Sequence, residues 1–239
     1  MRPDLFLESL IRDRGIAILT EDELARYRRY LVPGAASTFL AARVFLRCLL
    51  SLYGGLTPDA WRFATNPWGR PYVANPAAPA GLRFNLSHKP RFVTCLVGWE
   101  RELGVDVEDR SVERRHLLPI AQRFFSAREA GALVALPPPE QPDRFYQLWT
   151  LKESYIKARG RGLSLGLSRF SFTVEGSGAS VRFDPGFPDD AGRWAFQLFR
   201  PGPEHVIATT IERVDGAANV TDQGHAGEVI RSALATGFV

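Results

Sequence analysis

The sequence predicts an α+β fold, on three observations. Residues 37–53 carry apolar side chains at the helical period, with Phe39, Ala42, Leu46, Leu49 and Tyr53 on one line. A second long helical stretch runs on from Tyr146. Strand-like alternation fills residues 82–109 and returns after Ser168, with turn residues between the segments. Helices set apart from hairpin-linked strands belong to the α+β class.

Residues 4–19 mix short apolar runs with charge and reach a turn at Gly15. Thr20 and Glu23 have the spacing of a capping box, which opens a helix carrying Leu24, Tyr27 and Leu31. Its other face holds Arg26, Arg28 and Arg29, suited either to solvent or to an anion. Pro33 and Gly34 then interrupt the pattern. In the helix over 37–53, Arg43 and Arg47 are four residues apart, a like-charge pair that favours a helix only with something anionic between them. Gly54-Gly55 ends it.

Trp61 to Phe63 reads as a short strand, and Asn66-Pro67-Trp68-Gly69-Arg70-Pro71 as a rigid turn presenting Arg70. Residues 82–99 read as two strands joined by a turn at Ser87-His88-Lys89-Pro90, and Leu103 to Asp109 as a third. Val112 to Phe125 has helical character that Pro119 should kink or split. Ser126 and Glu129 form a second capping box. Residues 137–143, rich in proline, read as a stiff connector before the second long helix. Gly160 to Gly166 should cap and reverse that helix; the segment lacks the order of a phosphate-binding P-loop. Four meander strands follow, around Phe170–Val174, Val181–Phe183, Trp194–Phe199 and Val206–Ile211. A polar tail, with a short helix around residues 228–234, closes the chain.

The chemistry concentrates in two of these elements. Only three of the 30 basic residues are lysines, and Lys152 and Lys157 both lie in the second long helix. Lys152 falls within an apolar stripe with Phe145, Leu148 and Ile156, whereas Trp149, Glu153 and Lys157 stack four apart along another edge. In the strand LGVDVED, Asp106 and Glu108 share one face and Val105 and Val107 the other. Two carboxylates on one face of an apolar strand repel and are costly to bury. A hard cation removes both objections, and a third carboxylate would leave room for water and phosphate, the usual surroundings of magnesium.

Composition narrows the classes without choosing one. The chain has 239 residues, 45% apolar and 23% charged, with a formal charge of +4 and a pI near 9.3. That balance suits an anionic partner. Cys48 and Cys95 are too few for a disulfide framework and predict reduced, buried thiols in an intracellular setting. Acids interrupt the apolar residues of the first ten positions, and no apolar run approaches the about 18 residues of a span, so neither a signal peptide nor a membrane helix is expected. A Ser-His-Asp triad from Ser87, His88 and Asp106 is disfavoured, because adjacent side chains on extended backbone diverge. A magnesium-dependent nuclease or phosphohydrolase would want a second cluster of acids. A nucleic-acid module would leave the acidic pair unexplained.

Taken in order, NPWGRPY, FNLSHKPR, LGVDVED, RFFSAREAGAL and LWTLKESYIKARGRGLSLGLSRFSF resemble the motifs of the larger, Sfp-like 4'-phosphopantetheinyl transferases, over about residues 24–211. The resemblance implies a pseudo-dimer of two similar halves, each a small antiparallel sheet packed with a long helix, with the cofactor cleft between them. Its boundaries here would be 1–103 for the half contacting the CoA nucleotide, 104–214 for the half with the metal site and catalytic helix, and 215–239 for the tail.

The resemblance also implies Mg2+ on Asp106, Glu108 and Glu153. Arg26, Arg29, Arg70, Ser87, His88, Lys152 and Lys157 would contact CoA, with Lys152 equally suited to a structural or site-orienting role. Arg70 stands where the family pattern has lysine. Asp106, His88, Glu153 and Lys157 would serve the chemistry, with Glu153 as the base, directly or through a metal-bound water. The implied reaction moves the 4'-phosphopantetheine of CoA to a serine of an apo acyl, aryl or peptidyl carrier protein, releasing 3',5'-ADP. A cytoplasmic monomer is implied, with no nucleic-acid or membrane partner and the carrier docking around residues 114–125.

Overall fold

The computed structural model describes residues 11–90, 92–111 and 116–214. The first ten residues, residues 112–115 and the predicted tail with its helix lie outside the described residues. The described chain divides into two compact units. Unit 1 takes residues 11–65 and 71–100, and unit 2 takes 66–70 and 101–214.

Unit 1 is built on the helix α2 (Pro33–Gly54), preceded by α1 (Glu21–Arg28). The predicted capping box opens α1: the Thr20 hydroxyl accepts from Glu23 N–H, and the Glu23 carboxylate accepts from Thr20 N–H. Glu23 is also the anion that the Arg43–Arg47 pair requires. It meets Arg47 Nη2 at 2.5 Å and Arg43 Nη1 at 3.9 Å. Arg47 is fully buried and donates as well to the carbonyls of Pro58 and Trp61, both at 2.9 Å. Two hairpin pairs complete the unit: β1 (Phe63–Thr65) with β2 (Pro71–Val73), and β3 (Leu82–Lys89) with β4 (Phe92–Trp99), all antiparallel. Helix α2 is long and apolar enough to cross a membrane, but more than half of its most apolar window is buried in the protein, Arg47 included. It is the core helix of this unit. Burial pushes the Cys48 thiol in that core up to about 12, so it stays protonated.

Unit 2 is a five-stranded antiparallel sheet, in the order β5-β9-β8-β7-β6, packed against the long helix α5 (Gln141–Arg159). Its strands are β5 (Leu103–Asp109), β6 (Phe170–Glu175), β7 (Gly178–Phe183), β8 (Trp194–Phe199) and β9 (His205–Glu212). Two short helices, α3 (Leu117–Phe124) and α4 (Ala127–Val134), lead into α5. The core is aromatic: Tyr155 lies edge-on to Phe170 and Trp194, and Phe145 stacks on Trp149 and Phe125. Behind α5, Asp189 accepts from Tyr155 Oη at 2.6 Å and Trp194 Nε1 at 2.9 Å and pairs with Arg159. Burial works to raise the Asp189 carboxyl, but these bonds and the Arg159 charge outweigh it and leave it below its ordinary value.

The α+β class holds, with the sheet divided unequally: two two-stranded pairs in unit 1 and five strands in unit 2. Several boundaries move, and three share one cause. The break expected at Pro33 does fall between α1 and α2, but Pro33 itself opens α2, ahead of the expected start at residue 37; Pro119 sits in the first turn of α3 without splitting a helix, and Pro142 lies inside the first turn of α5. Donors in a first turn have no intrahelical acceptor, so proline's missing N–H costs nothing there. Ser87, His88 and Lys89 are strand residues, paired with Thr94, Val93 and Phe92, where a turn was expected.

Candidate active site

The site begins with a glycine. On β5, Gly104, Asp106 and Glu108 alternate with Leu103, Val105 and Val107 and share the opposite face. A Cβ at Gly104 would overlap the Ser154 carbonyl oxygen and the Ala158 nitrogen, so the backbone of α5 rests directly on the strand at this point. The Ser154 and Thr210 hydroxyls, 2.7 Å apart, add a buried link from α5 to β9 beside it. Glycine within a strand is the sequence mark of such a close approach.

This contact faces the carboxylates towards the helix. Asp106 and Glu108 are 5% and 4% exposed, a depth at which ionised groups require compensation. Lys157 supplies part of it, its Nζ lying 2.6 Å from Asp106 Oδ1. Helix and strand run in opposite directions here, because Arg70 bonds to Leu103 at the start of β5 and to Ala158 in the last turn of α5. Glu153, half-buried and one turn before Lys157, is therefore displaced along α5 in the direction that Glu108 is displaced along β5. The steps match: four helical residues rise about 6 Å, and two strand residues about 6.8 Å. Among the described residues, no group of three or more His, Cys, Asp or Glu side chains is closed into a metal cage. Magnesium is ordinarily held by one or two carboxylates together with water and substrate phosphate. The buried Asp106–Glu108 pair fits that donor chemistry.

Lys152 takes the structural role of the two open to it. It is fully buried, and its three N–H donors are taken up by Leu167 O at 2.8 Å, Phe170 O at 2.6 Å and Glu129 Oε2 at 2.8 Å. No proton is left for a phosphate. Burial lowers the Lys152 pKa, and the Glu129 charge works against that shift. Glu129, read from sequence only as a capping residue, keeps that role with Ser126 and also accepts from Phe172 N–H at 2.8 Å. Arg70 is likewise engaged inside unit 2, with Glu102, Ala158 O and Leu103 O.

In unit 1, Ser87 is buried on β3 and its neighbour His88 exposed, as expected for successive strand positions. Arg26 and Arg29 are exposed at the end of α1; Arg26 lies over the Phe39 ring, and Arg29 Nε bonds to Ala25 O.

Gly104 gives the first test of this geometry. A Gly104→Ala protein is expected to lose about 3 kcal/mol or more, the upper part of the overpacking range, because the obstructing atoms are helix backbone. Thermal unfolding checks it; an unchanged Tm would mean that α5 does not rest on β5.

The family model of the 4'-phosphopantetheinyl transferase superfamily matches residues 102–210, which hold β5, α5, β6 to β8 and most of β9. The 4'-phosphopantetheinyl transferase Sfp of Bacillus subtilis strain 168 is 30% identical over 87% of this chain and 89% of its own length. A second Bacillus subtilis 4'-phosphopantetheinyl transferase is 35% identical over 70% of this chain and 71% of its own. The 4'-phosphopantetheinyl transferase HetI of a Nostoc species is 37% identical over 66% of this chain and 65% of its own.

Proposed function

The chain belongs to the 4'-phosphopantetheinyl transferase superfamily, and on that premise we propose that it works through Asp106, Glu108, Glu153 and Lys157. The reaction transfers the 4'-phosphopantetheine of coenzyme A to the serine of an apo carrier protein. The serine oxygen attacks the phosphorus that bears pantetheine, the phosphoanhydride bond breaks, and 3',5'-ADP leaves with the electron pair. The observation that carries the residue assignment is the Gly104 contact, which sets the two buried acids of β5 against the helix of Glu153 and Lys157.

Asp106 and Glu108, with Glu153 from α5, would hold Mg2+, which when bound neutralises charge on the diphosphate. Lys157 offers its ammonium to the same diphosphate and would exchange its bond to Asp106 for one to phosphate oxygen as CoA enters. Glu153 is assigned to take the serine proton, a task that calls for a carboxylate within hydrogen-bond reach of the hydroxyl. In unit 1, Ser87, His88 and the exposed arginines Arg26 and Arg29 are assigned to the nucleotide phosphates. With the same family as ground, units 1 and 2 are proposed as the two halves of the pseudo-dimer, and the protein as cytoplasmic. The carrier is proposed to dock on the exposed side of α3, where Arg123 lies over Phe124.

Intact-mass analysis of an apo carrier protein tests the reaction. Incubation with the enzyme, CoA and Mg2+ should add one phosphopantetheinyl group, and a carrier Ser→Ala variant should gain nothing. No gain on apo fatty-acid, polyketide or peptide carriers would overturn the assignment.

A further inference from the structure

The five residues Asn66–Arg70 join β1 to β2 in sequence but cluster with unit 2. Asn66 folds them into a compact turn, its Oδ1 accepting from Trp68 N–H at 3.0 Å and Arg70 N–H at 2.9 Å. The two ends of the turn then reach α5. Asn66 Nδ2 donates to Gly160 O at 2.8 Å, and Arg70 Nη1 donates to Ala158 O at 2.9 Å and to the Glu102 carboxylate. Arg70 Nη2 donates to Leu103 O at 3.3 Å. Carbonyls at a helix C-terminus lack partners within the helix, and a cation there also meets the negative end of its dipole. Gly160 makes room for this: a Cβ would come within 2.7 Å of Arg70 Cδ. One guanidinium thus ties the last turn of α5, next to Lys157, to the first residue of β5, three before Asp106.

We propose that Asn66 and Arg70 are positioning residues that keep Lys157 in register with Asp106, and that Arg70 does not contact the CoA phosphates. This rests on the transferase reading above and departs from the role that the family resemblance implies for position 70. Both Nη1 protons are already used, and the bridge needs a planar fork. Nη1 reaches Glu102 and Ala158 while Nη2 reaches Leu103, and a lysine in the same place would have to meet all three from one nitrogen at the end of a shorter-reaching, flexible stem.

The test compares the wild type with Arg70→Lys and Glu102→Gln, using steady-state kinetics with CoA and an apo carrier, and amide hydrogen exchange over residues 155–160. If Arg70 is a brace, Arg70→Lys lowers kcat about tenfold or more with the KM for CoA nearly unchanged, since small misplacements of catalytic groups cost up to about 100-fold. Exchange at the end of α5 quickens, and Glu102→Gln, which removes the brace's charged anchor, shifts both readouts the same way. If Arg70 instead binds phosphate, Arg70→Lys keeps its kcat because the cation is preserved, and Glu102→Gln lowers the KM for CoA by releasing the guanidinium. Either result, or unchanged exchange in both variants, overturns the proposal. A wild-type enzyme that leaves the carrier mass unchanged counts against the transferase reading instead, and the exchange measurement still decides the brace.

Discussion

An Asp106→Asn enzyme is expected to fold normally and to transfer phosphopantetheine about 1,000-fold more slowly or worse, the scale of losing a group that stabilises transition-state charge. Asparagine nearly matches aspartate in shape and can still accept from Lys157, so the packing of β5 on α5 survives. What disappears is one of two buried charges on the Gly104–Asp106–Glu108 face. Like charges on one face repel, so removing one offsets the weakened bond to Lys157. The Tm should therefore stay within about 4 °C of the wild type, equivalent to a change of about 1 kcal/mol. Intact-mass rates and thermal unfolding of the same preparation separate the two effects. A variant that melts normally and retains transfer within tenfold of the wild type would remove Asp106 from the site.

Lys152→Met should do the reverse, acting on stability first. Lys152 and Glu129 form an ion pair at full burial, and the ammonium lies 4.4 Å from the centroid of the Phe170 ring. Methionine fills much of the same volume but leaves the Glu129 charge and the carbonyls of Leu167 and Phe170 short of a donor. Breaking a buried pair from one side costs about 3–5 kcal/mol. For a protein of this size that lowers the Tm by about 10 °C. Adding Glu129→Gln should restore part of the loss, because the uncompensated charge goes with it, whereas adding the effects of independent sites would deepen it. A single variant as stable as the wild type would show that the pair contributes little beyond its volume.

The contrast between these two lysines shows where sequence is informative. Lys157 and Glu153 are one turn apart and Asp106 and Glu108 two strand positions apart, so each pair is legible from local periodicity. The same holds for both capping boxes and for β4 and β5, whose bounds match the apolar and alternating runs. The prolines at 33, 119 and 142 misled for a local reason: the residue that breaks a helix interior also suits its first turn, and the sequence around it looks alike in both cases. The partners of Lys152 and Arg70 were not legible at all. Glu129 already had a complete local explanation as a capping residue, and the Arg70–Ala158 bond spans 88 positions. Gly104 stood in plain view within LGVDVED, but its meaning depends on which backbone lies above it.

The proposed mechanism requires the buried acids of β5, with Glu153, to hold a divalent cation during transfer. The most direct measurement is the intact mass of an apo carrier incubated with enzyme and CoA in excess EDTA, then with Mg2+ restored. No phosphopantetheinyl gain is expected in EDTA, and full gain once Mg2+ is in excess. Undiminished transfer in EDTA would contradict that mechanism.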